Sequence, residues 1–326
     1  MKLLIIGGKK FLGYHVAQEA VKRGHQVTLF NRGKTYPELL PELPTIIGDR
    51  NTDIDRLANM QFDAVIDTCA YFPKQVEQAV KVLGDNIKKY QLVSTISACD
   101  NTVVGIDEDG PICGLDFEST EITGETYGPL KAACEKQLTD MLGDKGLLIR
   151  PGFIVGDRDH TDRFSYWPVM MHNHNEMIVP ETNDLKIQFI DVRDLAIFMI
   201  DALEKDLSGI YHLTGPVEPL NFSNFIEACH KTINENCKLI KVSDEWLDNN
   251  KIVKHAAFPL CIELKEFAGL HKVNINKAIN AGLKTRAIED TLKSTLAWYQ
   301  EYKGDVSKLA AGMKPSDMKE LIEKLN

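Results

Sequence analysis

The chain has 326 residues, 44% apolar and 26% charged, with a formal net charge of −9. That size and mix suit a globular protein with room for one large domain or two lobes. The acidic balance argues against a nucleic-acid surface, which needs clustered lysine and arginine, and no apolar run approaches the roughly 18 residues of a membrane span. Seven cysteines are scattered without a C-x-x-C pair, which fits a reducing compartment. The N-terminus leads directly into an apolar run with no room for a leader, so a cytoplasmic location is expected.

In chain order, the short apolar run Lys2 to Ile6 predicts a strand, and Gly7-Gly8-Lys9-Lys10-Phe11-Leu12-Gly13 follows it as a glycine turn. A helical pattern runs to Gly24, with Phe11, Leu12, Val16, Ala20 and Val21 as its expected buried face. Val27 to Phe30 predicts a second strand ending in Asn31-Arg32. Strand, glycine turn, helix and strand in this order define a dinucleotide-binding βαβ unit, in which the start of the helix offers unpaired N–H groups to a pyrophosphate. Lys10 stands where a central glycine is usual, and reads equally as a solvated lysine or a phosphate contact. An acidic residue after the second strand would hold the ribose hydroxyls of NAD. Asn31 and Arg32 stand there instead, and a guanidinium suits a 2′-phosphate. NADP is therefore favoured, with NAD as the alternative.

The alternation continues with short strands at 45–47 and 64–67, a helix beginning at Asp53, a helix over 74–83, a strand over 90–96, a polar stretch from 100 to 123, a helix over 128–142 and a strand over 147–149 halted by Arg150-Pro151-Gly152. This order specifies an α/β fold with a doubly wound, parallel, Rossmann-type sheet. The expected division is a cofactor domain over 1–156, with 185–204 returning to it, and a smaller substrate lobe over 157–326. In that lobe the sequence suggests a strand at 185–190, a helix over 194–203, a strand and turn at 211–216, and a charged helix at 317–324. The tail after Lys303 is either a docked helix or a frayed end.

Tyr127 and Lys131 form a Y-x-x-x-K pair, which puts a phenol and an ammonium on one helical face. Tyr299 and Lys303 share the spacing with no cofactor signal beside them. Position separates the two pairs, since Tyr127 opens the helix between the fifth and sixth strands, at the sheet edge where a nicotinamide would lie. The end of the fifth strand offers three hydroxyls, at Ser94, Thr95 and Ser97. In the second half, Arg163, Tyr166 and Trp167 combine a cation with aromatics and are substrate candidates, although a packed loop with Trp167 in the core reads equally well. His172 and His174 lack companions at ligand spacing, so no metal site is expected.

These residues resemble an extended or atypical short-chain dehydrogenase/reductase of the NAD-dependent epimerase/dehydratase family, in the subgroup with a G-G-x-x-x-x-G loop that includes isoflavone reductase-like and chloroplast stem-loop-binding-like proteins. The resemblance runs from Gly7-Gly8 through Asn31-Arg32-Gly33, Gly48-Asp49-Arg50, Asp67, Ser94-Thr95, Tyr127/Lys131 and Arg150-Pro151-Gly152 to Phe189–Asp194. It implies a Thr95-Tyr127-Lys131 catalytic triad. It also implies cofactor contacts from Gly7, Gly8, Lys10, Phe11, Leu12, Gly13, Asn31, Arg32, Asp49 (adenine), Asp67, Thr68 and Cys69 (adenosine ribose), Ser94, Lys131, and Pro151, Gly152 and Ile154 (nicotinamide carboxamide). Cys99 replaces a tyrosine of the family pattern. Lys131 is expected to favour the Tyr127 phenolate. The implied activity is an oxidoreductase, epimerase or dehydratase acting on a hydroxylated small molecule, of which a nucleotide sugar is one candidate. The implied alternative is a cofactor-binding or RNA-binding protein without turnover. A homodimer is compatible with the family; a membrane or nucleic-acid partner is not expected.

Overall fold

A computed structural model describes residues 1–325. The first half alternates as β1 (Lys2–Ile6), α1 (Leu12–Lys22), β2 (Gln26–Asn31), β3 (Thr45–Ile47), β4 (Ala64–Asp67), α2 (Pro73–Leu83), β5 (Lys89–Val93), α3 (Tyr127–Leu142) and β6 (Gly146–Pro151). The second half follows with β7 (Phe153–Val155), α4 (Tyr166–Asn173), β8 (Glu176–Pro180), β9 (Lys186–Ile187), β10 (Phe189–Asp191), α5 (Val192–Glu204), β11 (Gly209–Leu213), β12 (Leu220–Asn221), α6 (Phe222–Ile233) and β13 (Lys238–Val242). The chain closes with α7 (Asp244–Asn249), α8 (Lys254–Ala257), α9 (Asn276–Ala281), α10 (Ile288–Tyr302) and α11 (Pro315–Leu325).

Seven strands make one sheet in the order β11-β6-β5-β4-β1-β2-β3, and every pairing in it is parallel. Both faces must therefore be covered. Alternation along β1 shows how: Leu3 and Ile5 enter one apolar layer with α1 and α5, while Leu4 and Ile6 enter the other with α2 and α3. The strand order reverses between β1 and β4, so a crevice opens above their C-terminal ends. A separate core holds the second half together, built on Phe164, Tyr166, Trp167, Phe222, Phe225 and Phe258.

Several expectations shift. Val21 is exposed, and Ala17 takes its place on the buried face of α1. The helix expected from Asp53 is only a 3₁₀ turn over Ile54–Leu57. The fifth strand stops at Val93 because the Thr95 hydroxyl accepts the backbone N–H of Ser97 at 3.1 Å and turns the chain into a short 3₁₀ segment. The returning segment is also different. Residues 185–191 stay outside the main sheet, where β9 pairs with β12 and β10 with β7. What rejoins the sheet is α5, packed on α1, and β11, paired to β6 as the edge strand. The tail is docked: Met318 and Ile322 of α11 are buried in the second core.

Candidate functional site

Gly7 and Gly8 turn the chain away from β1 at φ values of 108° and 87°, a region that side chains rarely tolerate. Gly13 has a different task. A Cβ there would lie 2.7 Å from the Gly8 nitrogen, so only glycine lets α1 start against the turn. Helix α1 opens without a side-chain cap; the Gly13 and Tyr14 N–H groups bond back to the Lys10 and Phe11 carbonyls at 3.0 and 3.1 Å, and Leu12, its first residue, lines the crevice. Asn31 locks the arrangement from the neighbouring strand, donating from Nδ2 to the Gly7 carbonyl at 3.1 Å and accepting the Gly33 N–H at 2.9 Å. This cradle fits a dinucleotide pyrophosphate.

The crevice above it has a volume of about 680 Å³. Its walls bring together Gly7, Gly8, Lys10, Phe11, Leu12, Gly13, Asn31, Arg32, Asp49, Thr68, Cys69, Ser94, Thr95, Tyr127, Pro151, Gly152, Ile154 and Arg163. The wall that follows β2 is basic: Arg32 and Lys34 are exposed there, Lys10 is exposed in the glycine turn, and none of the three has an ion-pair partner among the described residues. Asp49 is also on this wall, where its Oδ1 accepts the N–H and side-chain amide of Asn51 at 2.9 and 3.0 Å.

At the other end, Tyr127 faces Thr95. Burial pushes the phenol above its ordinary range, while the Thr95 hydroxyl and the Arg163 guanidinium work against that rise. Tyr71 lies alongside, its ring centroid 6.5 Å from that of Tyr127, with its own phenol pushed up to about 12 by burial. Arg163 lies over the Phe153 ring at 4.5 Å. Asp159 lines the same wall and is 1% exposed. Its Oδ1 accepts from the Thr161 N–H and hydroxyl at 2.8 and 2.7 Å, but its Oδ2 has no partner. Burial raises its carboxyl.

Four sequence expectations fail here. Asp67 is fully buried and turned away from the crevice: Arg50 grips it with two hydrogen bonds of 2.7 and 2.9 Å, and Tyr90 donates to it at 2.7 Å. A carboxylate buried at a strand end needs a cation more than it needs a ribose. Tyr166 and Trp167 are not at the substrate wall. Both are fully buried in the second core, where the Trp167 indole donates to the Pro259 carbonyl at 2.9 Å. Lys131 does not reach the crevice surface. Its ammonium donates to the Ala70 and Val93 carbonyls at 2.6 and 2.7 Å, beneath the Tyr71 ring at 5.5 Å. Burial pulls its ammonium below the ordinary lysine range.

Sequence reasoning missed Lys34, Tyr71, Asp159, Phe267 and Leu270, which all line the crevice. Tyr71 had a usable signal, since it follows the fourth strand at the crevice rim. Phe267 and Leu270 had none, because they arrive from a distant loop. The second Y-x-x-x-K pair is structural: Tyr299 is buried and donates to the Asp305 carbonyl at 3.1 Å, while Lys303 pairs with the buried Asp162.

A parallel sheet reversing at β1/β4, with a glycine cradle and a tyrosine at its far end, defines the class of Rossmann-type dinucleotide-binding proteins. The model of the NAD dependent epimerase/dehydratase family matches residues 3–213, ending at the last residue of β11. The chain belongs to that family. It is 26% identical over 250 residues to the chloroplast stem-loop binding protein of 41 kDa b from Arabidopsis thaliana, covering 71% of this chain and 62% of that one. It is 36% identical over 95 residues to a UDP-N-acetyl-alpha-D-glucosaminuronate decarboxylase of Bacillus cytotoxicus, covering 26% of this chain and 29% of that one. The chain thus spans less than two thirds of the length of either relative. Its fold is shared with the UDP-glucuronic acid 4-epimerase from Bacillus cereus in complex with NAD, at TM-score 0.69 and 17% identity, covering 94% of this chain and 99% of that one. Among the described residues, no helix is long and apolar enough to cross a membrane.

Proposed function

We propose that this protein is an NADP(H)-dependent enzyme that moves a proton and a hydride at a hydroxyl-bearing carbon of a small molecule, with a nucleotide sugar as the leading substrate class. The observation that carries this reading is the meeting of Tyr127 and Thr95 at the end of a crevice that begins at the glycine cradle. The cofactor would lie from the basic end, through the cradle, to Pro151, Gly152 and Ile154, and supplies the hydride acceptor or donor. Tyr127 takes or returns the proton at the substrate oxygen. Thr95, whose oxygen accepts from Ser97 and whose hydroxyl meets the Tyr127 phenol, would turn its O–H to that same oxygen when substrate is bound. Lys131, bonded to two backbone carbonyls, holds the ends of β5 and of the loop after β4 at fixed spacing beneath the site and contributes positive charge from below.

The preference for NADP rests on Arg32, with Lys34 two residues further on. NADPH should raise the melting temperature more than NADH does, and Arg32→Ala should remove the difference. Equal shifts in the parent protein would reject this assignment. For the chemistry, sugar nucleotides and small ketones are screened by cofactor absorbance. Tyr127→Phe should lower turnover by about 10²-fold or more with the melting temperature little changed; unchanged turnover would remove Tyr127 from the mechanism.

The name of the Arabidopsis relative favours a second reading, an RNA-binding protein of the same fold. The net charge of −9 opposes it. Tight, salt-sensitive binding of a structured RNA would support it over the enzyme. The seven free cysteines fit a cytoplasmic protein, and a homodimer is the assembly to look for by light scattering.

A further inference from the structure

Two lysines stand side by side in the glycine turn, and the fold treats them differently. Lys10 is exposed, whereas Lys9 is buried against the crevice wall. The Lys9 ammonium donates to the Pro37 carbonyl at 2.9 Å. Among the described residues that is its one hydrogen bond, and no carboxylate pairs with it. A long side chain gives up much rotamer freedom to be held in this way. What it holds is the loop between β2 and β3.

That loop brings Arg32, Lys34 and Thr35 to the crevice. Nothing in the sheet supports them, because β2 ends at Asn31 and β3 begins at Thr45. Among the described residues, no backbone hydrogen bond joins 32–37 to another element; the one made there is local, from the Leu39 N–H to the Tyr36 carbonyl at 3.1 Å. The segment is fastened by side chains instead. At its start, Asn31 donates to the Gly7 carbonyl at 3.1 Å and accepts the Gly33 N–H at 2.9 Å. At its end, Lys9 holds Pro37, and three residues further on Leu40 enters the first core. Residues 32–36 therefore form an arch tied at both feet to one glycine turn. Cutting either tie frees the two cations that the arch carries.

We propose that Lys9 is a positioning residue for cofactor selection: it clamps the arch to the glycine turn and so holds Arg32 and Lys34 at the place where a 2′-phosphate is told from a hydroxyl. The ligand in this inference rests on the NADP reading, and the clamp itself rests on the Lys9–Pro37 contact. A loose arch would carry the same charges, but ordering it would consume part of the binding free energy. The clamp removes that cost before the cofactor arrives.

The test begins without ligand. Trypsin cuts after arginine and lysine, so Arg32 and Lys34 place two cleavage sites in the arch. In the full chain, Lys9→Met should speed cleavage at these sites about 10-fold, with the melting temperature little changed. Lys9→Arg, which keeps a charged donor, should restore most of the protection. Calorimetric titration then compares cofactors: Lys9→Met should weaken NADPH about 10-fold and NADH less than about 2-fold. Unchanged cleavage in Lys9→Met would overturn the clamp; paired with weaker NADPH binding, it would show a direct phosphate contact in its place. Faster cleavage that arginine does not reverse, or equal weakening of two cofactors that the parent distinguishes, would also overturn it. Should Lys9→Met fail to fold, Lys9→Gln, too short to keep the 2.9 Å contact, decides on the same readings. A parent that binds NADPH and NADH alike would count against the NADP reading alone, and faster cleavage in Lys9→Met would still establish the clamp.

Discussion

At the scale of single residues, the most constrained position in the cradle is Gly13. Its missing side chain leaves space that the Gly8 backbone occupies, with Gly8 N at 2.7 Å and Gly8 Cα at 2.9 Å from any Cβ placed there. Backbone cannot swing aside as a flexible side chain can. Gly13→Ala should therefore cost about 1–3 kcal/mol and abolish the thermal shift produced by NADPH; chemical denaturation with and without cofactor measures both. A variant with parent stability and full cofactor response would show that α1 does not need this close approach. Individual residues were legible in the sequence where chemistry and position coincide. The glycines, Arg32, Thr95 and Tyr127 could be assigned to one crevice because strand ends in this topology converge there. Asp67 could not, because its partner Arg50 lies seventeen positions earlier and only the folded sheet sets them together. Trp167 was left between two readings for a related reason: an aromatic beside an arginine looks the same whether it lines a pocket or, as here, fills a core.

Between elements, the buried contact of α3 with β6 includes an ion pair. Arg150 is 2% and Glu135 is 4% exposed, joined by hydrogen bonds of 2.6 to 3.1 Å. Arg150 also reaches the Cys99 sulfur at 3.4 Å and His212 Nε2 at 3.3 Å, so helix, strand, edge strand and the loop after β5 meet at one guanidinium. Desolvation makes such a pair costly to break and cheap to replace. Glu135→Leu should destabilise by about 3–5 kcal/mol, and adding Arg150→Met should recover a large part of that loss. Additive losses in a double-mutant cycle of denaturation midpoints would contradict this. Element type and order were readable from apolar periodicity through most of the first 156 residues. Boundaries failed where side chains competed with the backbone, as Thr95 does at the end of β5. The edge strand β11 was seen as a strand but not placed in the sheet, because pairing with β6 is a long-range fact that a five-residue pattern does not carry.

Across the whole molecule, buried histidines set the response to acid. Burial holds His15 below the ordinary imidazole range, and brings His212 and His271 down to about 4. The unfolded chain therefore binds protons first as pH falls below about 6.5. Stability should be level above that value and decline between about 6.5 and 4, by up to about 1.4 kcal/mol per pH unit for each such histidine. Urea midpoints at pH 7, 6 and 5 test this, and a constant midpoint would refute it. The two-core architecture was less legible than the sheet, since the second core gathers Phe164, Phe258 and Ile322 from separate stretches with no shared periodicity. One tie in that core has a reach beyond its own neighbourhood. Asp162 anchors Lys303 and Ala310, and it immediately precedes Arg163 in the chain. The C-terminal segment and the rim of the ligand crevice thus share a single mooring. Freeing the tail from Asp162 should therefore loosen the wall at Arg163 while leaving the strands of the sheet paired.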